Sequence, residues 1–169
     1  MFRVQLVPDD FDVPTCVETG SFRLRPLTVN DVVRDFAAAV SSTDHLTSVF
    51  GPRQNWPQGL TLERNIADVG WHETEFSKRT SFCYVVMSPD ETRYRGCQYF
   101  YPSNKVGYDV EVYLWTTQEE YRQGFDAQLF DFVRQWTTEW PFKNPLFPGR
   151  LIHWPDYEAL PGKQALTSQ

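Results

Sequence analysis

The alternation of apolar and polar residues predicts a strand followed by a helix near the start of the chain. In "SFRLRPLT", phenylalanine and leucine alternate with two arginines, which is typical of a half-buried strand. Thr28 and Asp31 then stand three residues apart, a pattern that resembles a capping box. Valines and Phe36 follow at helical spacing, so we predict a helix that ends at about Val40.

A long polar loop separates this helix from the next one. The segment "SSTDHLTSVFGPRQNWPQG" contains two glycines and two prolines. Long irregular loops in compact domains often carry function. Beyond it, Leu62, Ile66, Val69 and Phe76 lie on one stripe, which predicts a second helix, weakened at Gly70.

Three strand patterns follow in quick succession: "SFCYVVM", "YRGCQYFY" and "YDVEVYLW". The turns between them are short, so neighbouring strands must run antiparallel. Thr117 and Glu120 repeat the helix-start pattern. Apolar residues at helical spacing from Phe125 to Trp140 then predict a long amphipathic helix, which Pro141 ends. The proline-rich remainder contains one strand-like segment, "RLIHW".

The predicted order is therefore strand, helix, helix, three strands, helix and strand. This order defines an α+β fold in which a mostly antiparallel mixed sheet is flanked by helices. The length of 169 residues suits a single domain. Residues 1–20 show no period and are predicted to form an irregular arm, and residues 141–169 form a short proline-rich C-terminal part.

Net charge and apolar content limit the partners of the chain. The formal net charge of −6 argues against a generic surface for nucleic acid or anionic membrane. Apolar runs are far shorter than the roughly 20 residues of a membrane span. The opening "MFRVQLVPDDFDVP" has acids and prolines where a signal peptide needs an apolar stretch. We therefore expect a cytoplasmic protein with neither a membrane nor a nucleic-acid partner.

Cysteines and histidines do not show the spacing of metal ligands. Cys16, Cys83 and Cys97 have no metal-type pair spacing, and two of them lie in predicted strands. We expect all of them to be buried structural thiols. The three histidines are scattered along the sequence, so we expect no metal site.

The order of elements resembles the GNAT superfamily of acyl-CoA-dependent N-acetyltransferases, over about residues 21–154. "FRLRPLTVNDV" is similar to the opening strand and helix of the family, "YRGCQYFY" to its third strand and "YDVEVYLW" to its fourth. "YRQGFDAQLFDFV" stands where the family has its pyrophosphate loop. The resemblance implies transfer of an acetyl or other acyl group from acyl-CoA, with acetyl-CoA as co-substrate, to an amine. By the same resemblance, the expected acceptor is a small-molecule or peptide amine.

The resemblance assigns coenzyme A binding to the loop around Gly124. The free N–H groups at a helix start can hold a pyrophosphate, and glycine lets the backbone approach closely. The family motif is matched only in part: with Gly124 as its central glycine, Tyr121 takes the basic position and Asp126 the second small one. A shift of one residue restores a basic and a small residue but loses the glycine. The candidate cofactor-binding residues are Arg122, Gln123, Gly124, Phe125, Asp126 and Ala127. The alternative is an ordinary helix start at Thr117.

Candidate catalytic residues lie on the predicted fourth strand and near the C-terminus. Alternation along "YDVEVYLW" places Asp109 and Glu111 on one face, and crowding of two carboxylates can raise a pKa. The resemblance implies Glu111 as the first candidate base and Asp109 as the second. It also implies a tyrosine that protonates the leaving thiolate, for which Tyr157 in "DYEAL" is the candidate. The alternative for both carboxylates is exposure to solvent.

By the same resemblance, the long loop and the second helix flank the acceptor pocket, with His45, Trp56, Trp71 and His72 as its candidate residues. Histidine is a plausible base because its pKa lies near 6.5. The shortened C-terminal part favours a second hypothesis: a catalytically inactive GNAT-like module for ligand binding or interaction. Trp140 and Trp154, which stand beside prolines, are candidates for a homodimer contact.

Overall fold

The computed structural model describes residues 4–164, in which six strands form one sheet in sequence order. The strands are β1 (Val17–Glu18), β2 (Arg23–Pro26), β3 (Phe82–Met87), β4 (Tyr94–Pro102), β5 (Val110–Thr116) and β6 (Pro145–Leu146). Neighbouring strands are antiparallel, except that β5 and β6 run parallel. The predicted mixed, mostly antiparallel sheet is confirmed.

Helices flank this sheet as the sequence predicts. They are α1 (Val32–Val40), α2 (Thr43–Leu46), α3 (Leu62–Ser77), α4 (Gln118–Arg122), α5 (Phe125–Thr137) and α6 (Trp154–Ala159), with a 3-10 turn at Val29–Asp31 before α1. Both threonine-led helix starts are present. The Asp31 carboxylate accepts the Thr28 backbone N–H at 3.0 Å, and the Thr117 hydroxyl accepts that of Glu120 at 3.3 Å.

Two apolar cores lie on the two faces of the sheet. On one face, α5 packs against alternate residues of β3, β4 and β5. On the other face, residues of α1 and α3 meet Tyr99 of β4 and Trp115 of β5. Trp140 belongs to the first core: it is 4% exposed, and its ring centroid lies 4.6 Å from that of Phe100. Trp140 is therefore unavailable for the dimer contact expected from the sequence.

The C-terminal strand lies earlier in the chain than predicted. β6 is Pro145–Leu146, whereas the segment "RLIHW" forms a tight turn after it. The backbone N–H groups of Leu151 and Ile152 both donate to the Phe147 carbonyl, so this apolar run satisfies its hydrogen bonds locally. The helical turn predicted at "DYEAL" is present as part of α6.

Other differences are smaller. The irregular arm contains β1, and α3 continues through Gly70 without a break. Cys83 and Cys97 are buried as predicted, but Cys16, the residue before β1, is exposed. The predicted arm and C-terminal part include residues 1–3 and 165–169, which lie outside the described residues. Among residues 4–164, no helix has the length and apolar character that crossing a membrane requires.

Candidate active site

A cleft opens where β5 and β6 separate. The two strands pair only at Val110 with Pro145 and at Glu111 with Leu146. After Phe147 the chain turns back on itself and then forms α6. The C-terminal half of β5 thus faces the turn and α6 across an opening.

Three pockets adjoin along this opening. The α5 pocket, of about 300 Å³, lies between α2, the first turn of α5 and the turn after β6. The central pocket, of about 330 Å³, lies between Tyr113 and α6, and the aromatic pocket, of about 470 Å³, lies between α3 and β4. Trp154 lines the α5 and central pockets, and Phe50 lines the central and aromatic pockets. Because they share wall residues, the three pockets are neighbours, and we refer to them together as the cleft.

A buried carboxylate lies behind Tyr113 and Tyr157, two residues that line the central pocket. Glu111 is 7% exposed and accepts hydrogen bonds from the hydroxyls of Ser103 at 3.0 Å, Tyr113 at 2.9 Å and Tyr157 at 3.0 Å. In the strand register, Glu111 of β5 pairs with Tyr101 of β4, and Tyr101 lines the aromatic pocket. Hydroxyl donors compensate the carboxylate for lost water and leave it able to accept a proton.

Tyr157 reaches Glu111 from α6, although 46 residues separate them in sequence. The Lys105 ammonium donates to the Leu160 carbonyl at 3.1 Å and lies 4.6 Å from the centroid of the Tyr157 ring, which fixes the end of α6. Burial, together with the negative charge of Glu111, raises the pKa of Tyr157 to about 12. Tyr157 is therefore protonated at neutral pH.

Asp109, predicted to lie beside Glu111 as a second candidate base, instead binds backbone groups of the segment before β6. It precedes β5, and its carboxylate accepts the backbone N–H groups of Lys143 at 2.7 Å and Asn144 at 2.9 Å. These bonds hold the segment that leads into β6. The predicted second base is thus an anchor for the parallel strand pair, because its carboxylate satisfies backbone donors that the short β6 leaves free.

The predicted cofactor loop connects α4 to α5 through Gly124, which has a φ of +83°. The side chain of Phe125 is in the core beneath the Arg95 guanidinium, and Gln123 donates to Glu119 at 2.6 Å. Arg122 lines a separate groove between α1 and α4. These side chains do not converge on one point. Of the six candidate residues, Asp126 lines the α5 pocket, and Ala127, the next residue in the chain, is exposed.

Asp126 lies in the α5 pocket and forms an ion pair there. Its carboxylate accepts two hydrogen bonds from the Arg150 guanidinium, at 2.7 and 3.0 Å, and one from the Thr116 hydroxyl at 3.3 Å. The carboxylate therefore complements the positive end of α5. Sequence reasoning missed Arg150 because it is 24 residues from Asp126 and sits in a segment predicted to be a strand.

His45 lies in the α5 pocket and not in the predicted acceptor pocket. Its ring centroid is 4.3 Å from that of Tyr121. Burial lowers the pKa of His45, while Asp126 raises it and Arg150 lowers it further. The α2 turn within the long loop causes this placement, because it carries His45 toward α4 and α5.

The other three predicted acceptor residues, Trp56, Trp71 and His72, line the aromatic pocket together. Burial lowers the pKa of His72 to about 4, against a small raising effect of Glu75, so the imidazole is neutral at neutral pH.

The aromatic pocket also contains Asp35, a residue that sequence reasoning missed. Asp35 is buried, accepts hydrogen bonds from Asn65 at 2.8 Å and from the Tyr94 hydroxyl, and has a pKa raised by burial. Its signal in the sequence is a carboxylate at helical spacing between Val32 and Ala39, on the apolar stripe of α1.

Comparison with known proteins identifies the fold. No protein-family model matches the sequence, and no curated protein matches it either. Among solved structures, a ribosomal-protein alanine acetyltransferase from Vibrio fischeri is similar with a TM-score of 0.58 and 16% identity, over 76% of this chain and 68% of that one. The microcin self-immunity acetyltransferase MccE, in complex with acetyl-CoA and AMP, has a TM-score of 0.56 and 8% identity, over 73% and 66%.

RimL, a ribosomal alpha-N-protein acetyltransferase in complex with coenzyme A, is similar with a TM-score of 0.54 and 16% identity. The match covers 68% of this chain and 60% of RimL. The chain therefore spans about three fifths to two thirds of the length of these structures.

Proposed function

We propose that this chain, which has the GNAT fold, transfers an acetyl group from acetyl-CoA to an amine. The single observation that carries the proposal is the cleft itself. It leads from the first turn of α5 to Tyr157, whose hydroxyl contacts the buried Glu111, and it adjoins the aromatic pocket at Phe50. A donor that enters at α5 and an acceptor that enters at the aromatic pocket would meet at Glu111.

The donor end has groups that suit a pyrophosphate. The first N–H groups of α5 have no partner within their own helix, and the helix N-terminus carries partial positive charge. Arg150 adds a guanidinium beside that turn, at present paired with Asp126. Two structures of similar fold contain coenzyme A or acetyl-CoA. The chain would thus take the acyl-CoA as a substrate with the pantetheine arm along the central pocket.

The proposed reaction is direct transfer. The lone pair of the neutral acceptor amine attacks the thioester carbonyl carbon, the C–N bond forms, and the C–S bond breaks to release the coenzyme A thiolate. Glu111 accepts the proton that the amine loses, and Tyr157 donates its phenolic proton to the thiolate. Proximity of the two substrates supplies much of the rate enhancement, and the proton transfers supply the rest.

The hydrogen bond between Glu111 and Tyr157 would reset the site. After transfer, Glu111 carries a proton and Tyr157 has lost one, and the two groups are in contact at 3.0 Å. Passage of the proton from Glu111 to the Tyr157 oxygen restores both starting states. The high pKa of Tyr157 favours this direction, because the phenolate is a stronger base than the carboxylate.

The test is titration with acetyl-CoA followed by turnover with a panel of amines. We expect binding to wild-type protein by calorimetry, and Glu111→Gln should reduce kcat about 100-fold while leaving the acetyl-CoA Kd within about twofold. Glu139→Gln, at an exposed glutamate on the far side of the sheet, is the matched control. Absence of acetyl-CoA binding at millimolar concentration would refute the proposal.

One observation favours the second candidate, a catalytically inactive GNAT-like ligand-binding module. Asp126 places a carboxylate, already neutralised by Arg150, where a pyrophosphate would bind at α5. If this pair excludes coenzyme A, then acetyl-CoA will neither bind nor be consumed, while ligands of the aromatic pocket still bind. The same titration therefore separates the two candidates.

A further inference from the structure

We propose that the acceptor is a linear alkyl diamine, and that the aromatic pocket holds its second ammonium group while its first amine is acetylated at Glu111. This inference deepens the proposed function and rests on it for the acetylation step. Binding of the diamine itself depends only on the aromatic pocket.

The walls of the aromatic pocket favour a cation by their charge. The residues that line this pocket include two aspartates, Asp35 and Asp68, and neither a lysine nor an arginine. His72 adds no positive charge at neutral pH because burial lowers its pKa to about 4. A carboxylate-bearing ligand would find no cationic side chain among these lining residues and would meet the exposed Asp68 carboxylate, which costs binding free energy.

The rings of the pocket favour an ammonium attached to an alkyl chain. Trp56, Trp71, Tyr99 and Tyr101 line the pocket, together with Phe50. The Tyr99 and Tyr101 rings stack on each other with their centroids 5.5 Å apart. An ammonium over such ring faces gains a cation–π attraction, and methylene groups gain apolar contact with the same rings.

Asp35 is fixed in place to receive a charge. The Asn65 amide donates to one of its oxygens at 2.8 Å, and the Tyr94 hydroxyl donates to the other. These donors orient the carboxyl group. Burial raises the pKa of Asp35, and an ammonium bound beside it would favour the charged form. Asp68, which is exposed on α3 one turn after Asn65, provides a second carboxylate closer to solvent.

The spacing of the two ends selects a linear molecule. The Cys97 thiol lies 3.7 Å from the Asp35 carboxylate, and Tyr101 pairs with Glu111. Cys97 and Tyr101 are four residues apart on β4, which corresponds to roughly 13 Å. Subtracting one hydrogen-bond length at each end leaves about 7 Å between the two nitrogens. An extended diamine with a short alkyl chain spans this distance.

The test compares cadaverine with pentylamine, which has the same carbon chain but lacks the second amine. We expect wild-type protein to acetylate cadaverine with a kcat/KM at least about tenfold higher than that of pentylamine. Asp68→Asn and Trp71→Ala should each lower this ratio by about threefold or more. Asp131→Asn, at an exposed aspartate on α5 across the sheet, should leave the ratio unchanged.

Calorimetric titration with cadaverine alone provides a second readout that needs no turnover. If cadaverine binds to the wild-type protein and less tightly to Asp68→Asn but no amine is acetylated, the inference on the pocket holds and the proposed acetyl transfer fails. If other amines are acetylated while cadaverine and pentylamine react equally and Asp68→Asn changes neither, the inference is overturned and the acetyl transfer stands. A wild-type preference for a monoamine would also overturn it.

Discussion

Tyr157 donates its phenolic hydrogen to Glu111, and its oxygen lies 3.1 and 3.0 Å from the two carboxylate oxygens. The contact joins β5 to α6 across the cleft. The short C-terminal part therefore places a candidate proton donor, Tyr157, next to the candidate base, Glu111. Since Ser103 and Tyr113 also donate to Glu111, the carboxylate keeps two hydrogen bonds when the tyrosine acts on a substrate.

Removal of the Tyr157 hydroxyl tests its proposed role as proton donor to the coenzyme A thiolate. Tyr157→Phe should lower kcat about 100-fold because the thiolate loses its proton donor, and it should leave the acetyl-CoA Kd within about twofold. Tyr108→Phe, at a half-buried tyrosine outside the three pockets, is the control. Steady-state kinetics and calorimetry give the two quantities. A kcat equal to that of wild type would show that another group protonates the thiolate.

Gly149 sets the position of α6 through Trp154. A Cβ added to Gly149 would lie 2.7 Å from the indole nitrogen of Trp154, and the backbone φ of +73° is one that residues with side chains rarely adopt. Gly149→Ala should therefore displace Trp154 and, with it, Tyr157 one turn later. We expect kcat to fall about tenfold.

Gly59 offers a matched control for that change. Its φ of +71° is nearly the same, but a Cβ there meets no atom within 4 Å. Gly59→Ala should thus have a similar cost in backbone strain, of about 1 kcal/mol in the free energy of unfolding, with kcat unchanged. Equal losses of kcat in the two variants would show that strain, and not the position of Trp154, is responsible.

Substitutions at Gly124 can distinguish the cost of backbone strain from the blocking of a pyrophosphate near the α5 pocket. An added Cβ meets no protein atom, so the cost of Gly124→Val to folding is the positive φ alone, about 1–2 kcal/mol. Asparagine tolerates this conformation better, so Gly124→Asn should recover most of that stability. If a pyrophosphate approaches this backbone, both variants should raise the acetyl-CoA Kd by about tenfold or more. An unchanged Kd would place the phosphates elsewhere.

The Arg150–Asp126 pair joins the turn after β6 to the first turn of α5. The pair is largely buried and its hydrogen bonds are 2.7 and 3.0 Å long. Arg150→Ala should lower the free energy of unfolding by about 2–3 kcal/mol, because it leaves the Asp126 carboxylate without its cation. In urea unfolding, the double variant with Asp126→Ala should lose less than the sum of the single losses. Additive losses would contradict direct coupling.

The sequence predicted the sheet well because local rules control it. Alternation in "YDVEVYLW", the aromatic-rich composition of "YRGCQYFY" and the short turn between them predict antiparallel neighbours without further information. Glu111 and Tyr157 were both identified as candidates, and the structure brings them into contact. Their roles in chemistry remain proposals.

Long-range contacts account for what the sequence did not predict. Asp109 binds Lys143 and Asn144, and Asp126 binds Arg150; neither spacing follows any local period. His45 was expected at the acceptor end, but the α2 turn places it beside Tyr121. Such placements depend on how loops cross the sheet, which hydrophobic periodicity does not encode.

His72 predicts how stability depends on pH. Its pKa is about 4 in the folded protein, because burial disfavours the charged imidazole, and about 6.5 in an unfolded chain. Below about pH 6.5 the unfolded chain binds a proton that the folded protein does not. The stabilising contribution is therefore complete above about pH 6.5 and is lost as the pH falls toward 4.

Urea unfolding at about pH 7 and about pH 5 measures this effect. The lower pH should cost wild-type protein about 2 kcal/mol more than it costs His72→Leu, which has no imidazole to protonate. Equal pH dependence in wild type and His72→Leu would mean that folding does not lower the pKa of the imidazole, which would then be protonated in the folded protein at about pH 5. The aromatic pocket would then carry a cation that opposes an ammonium ligand.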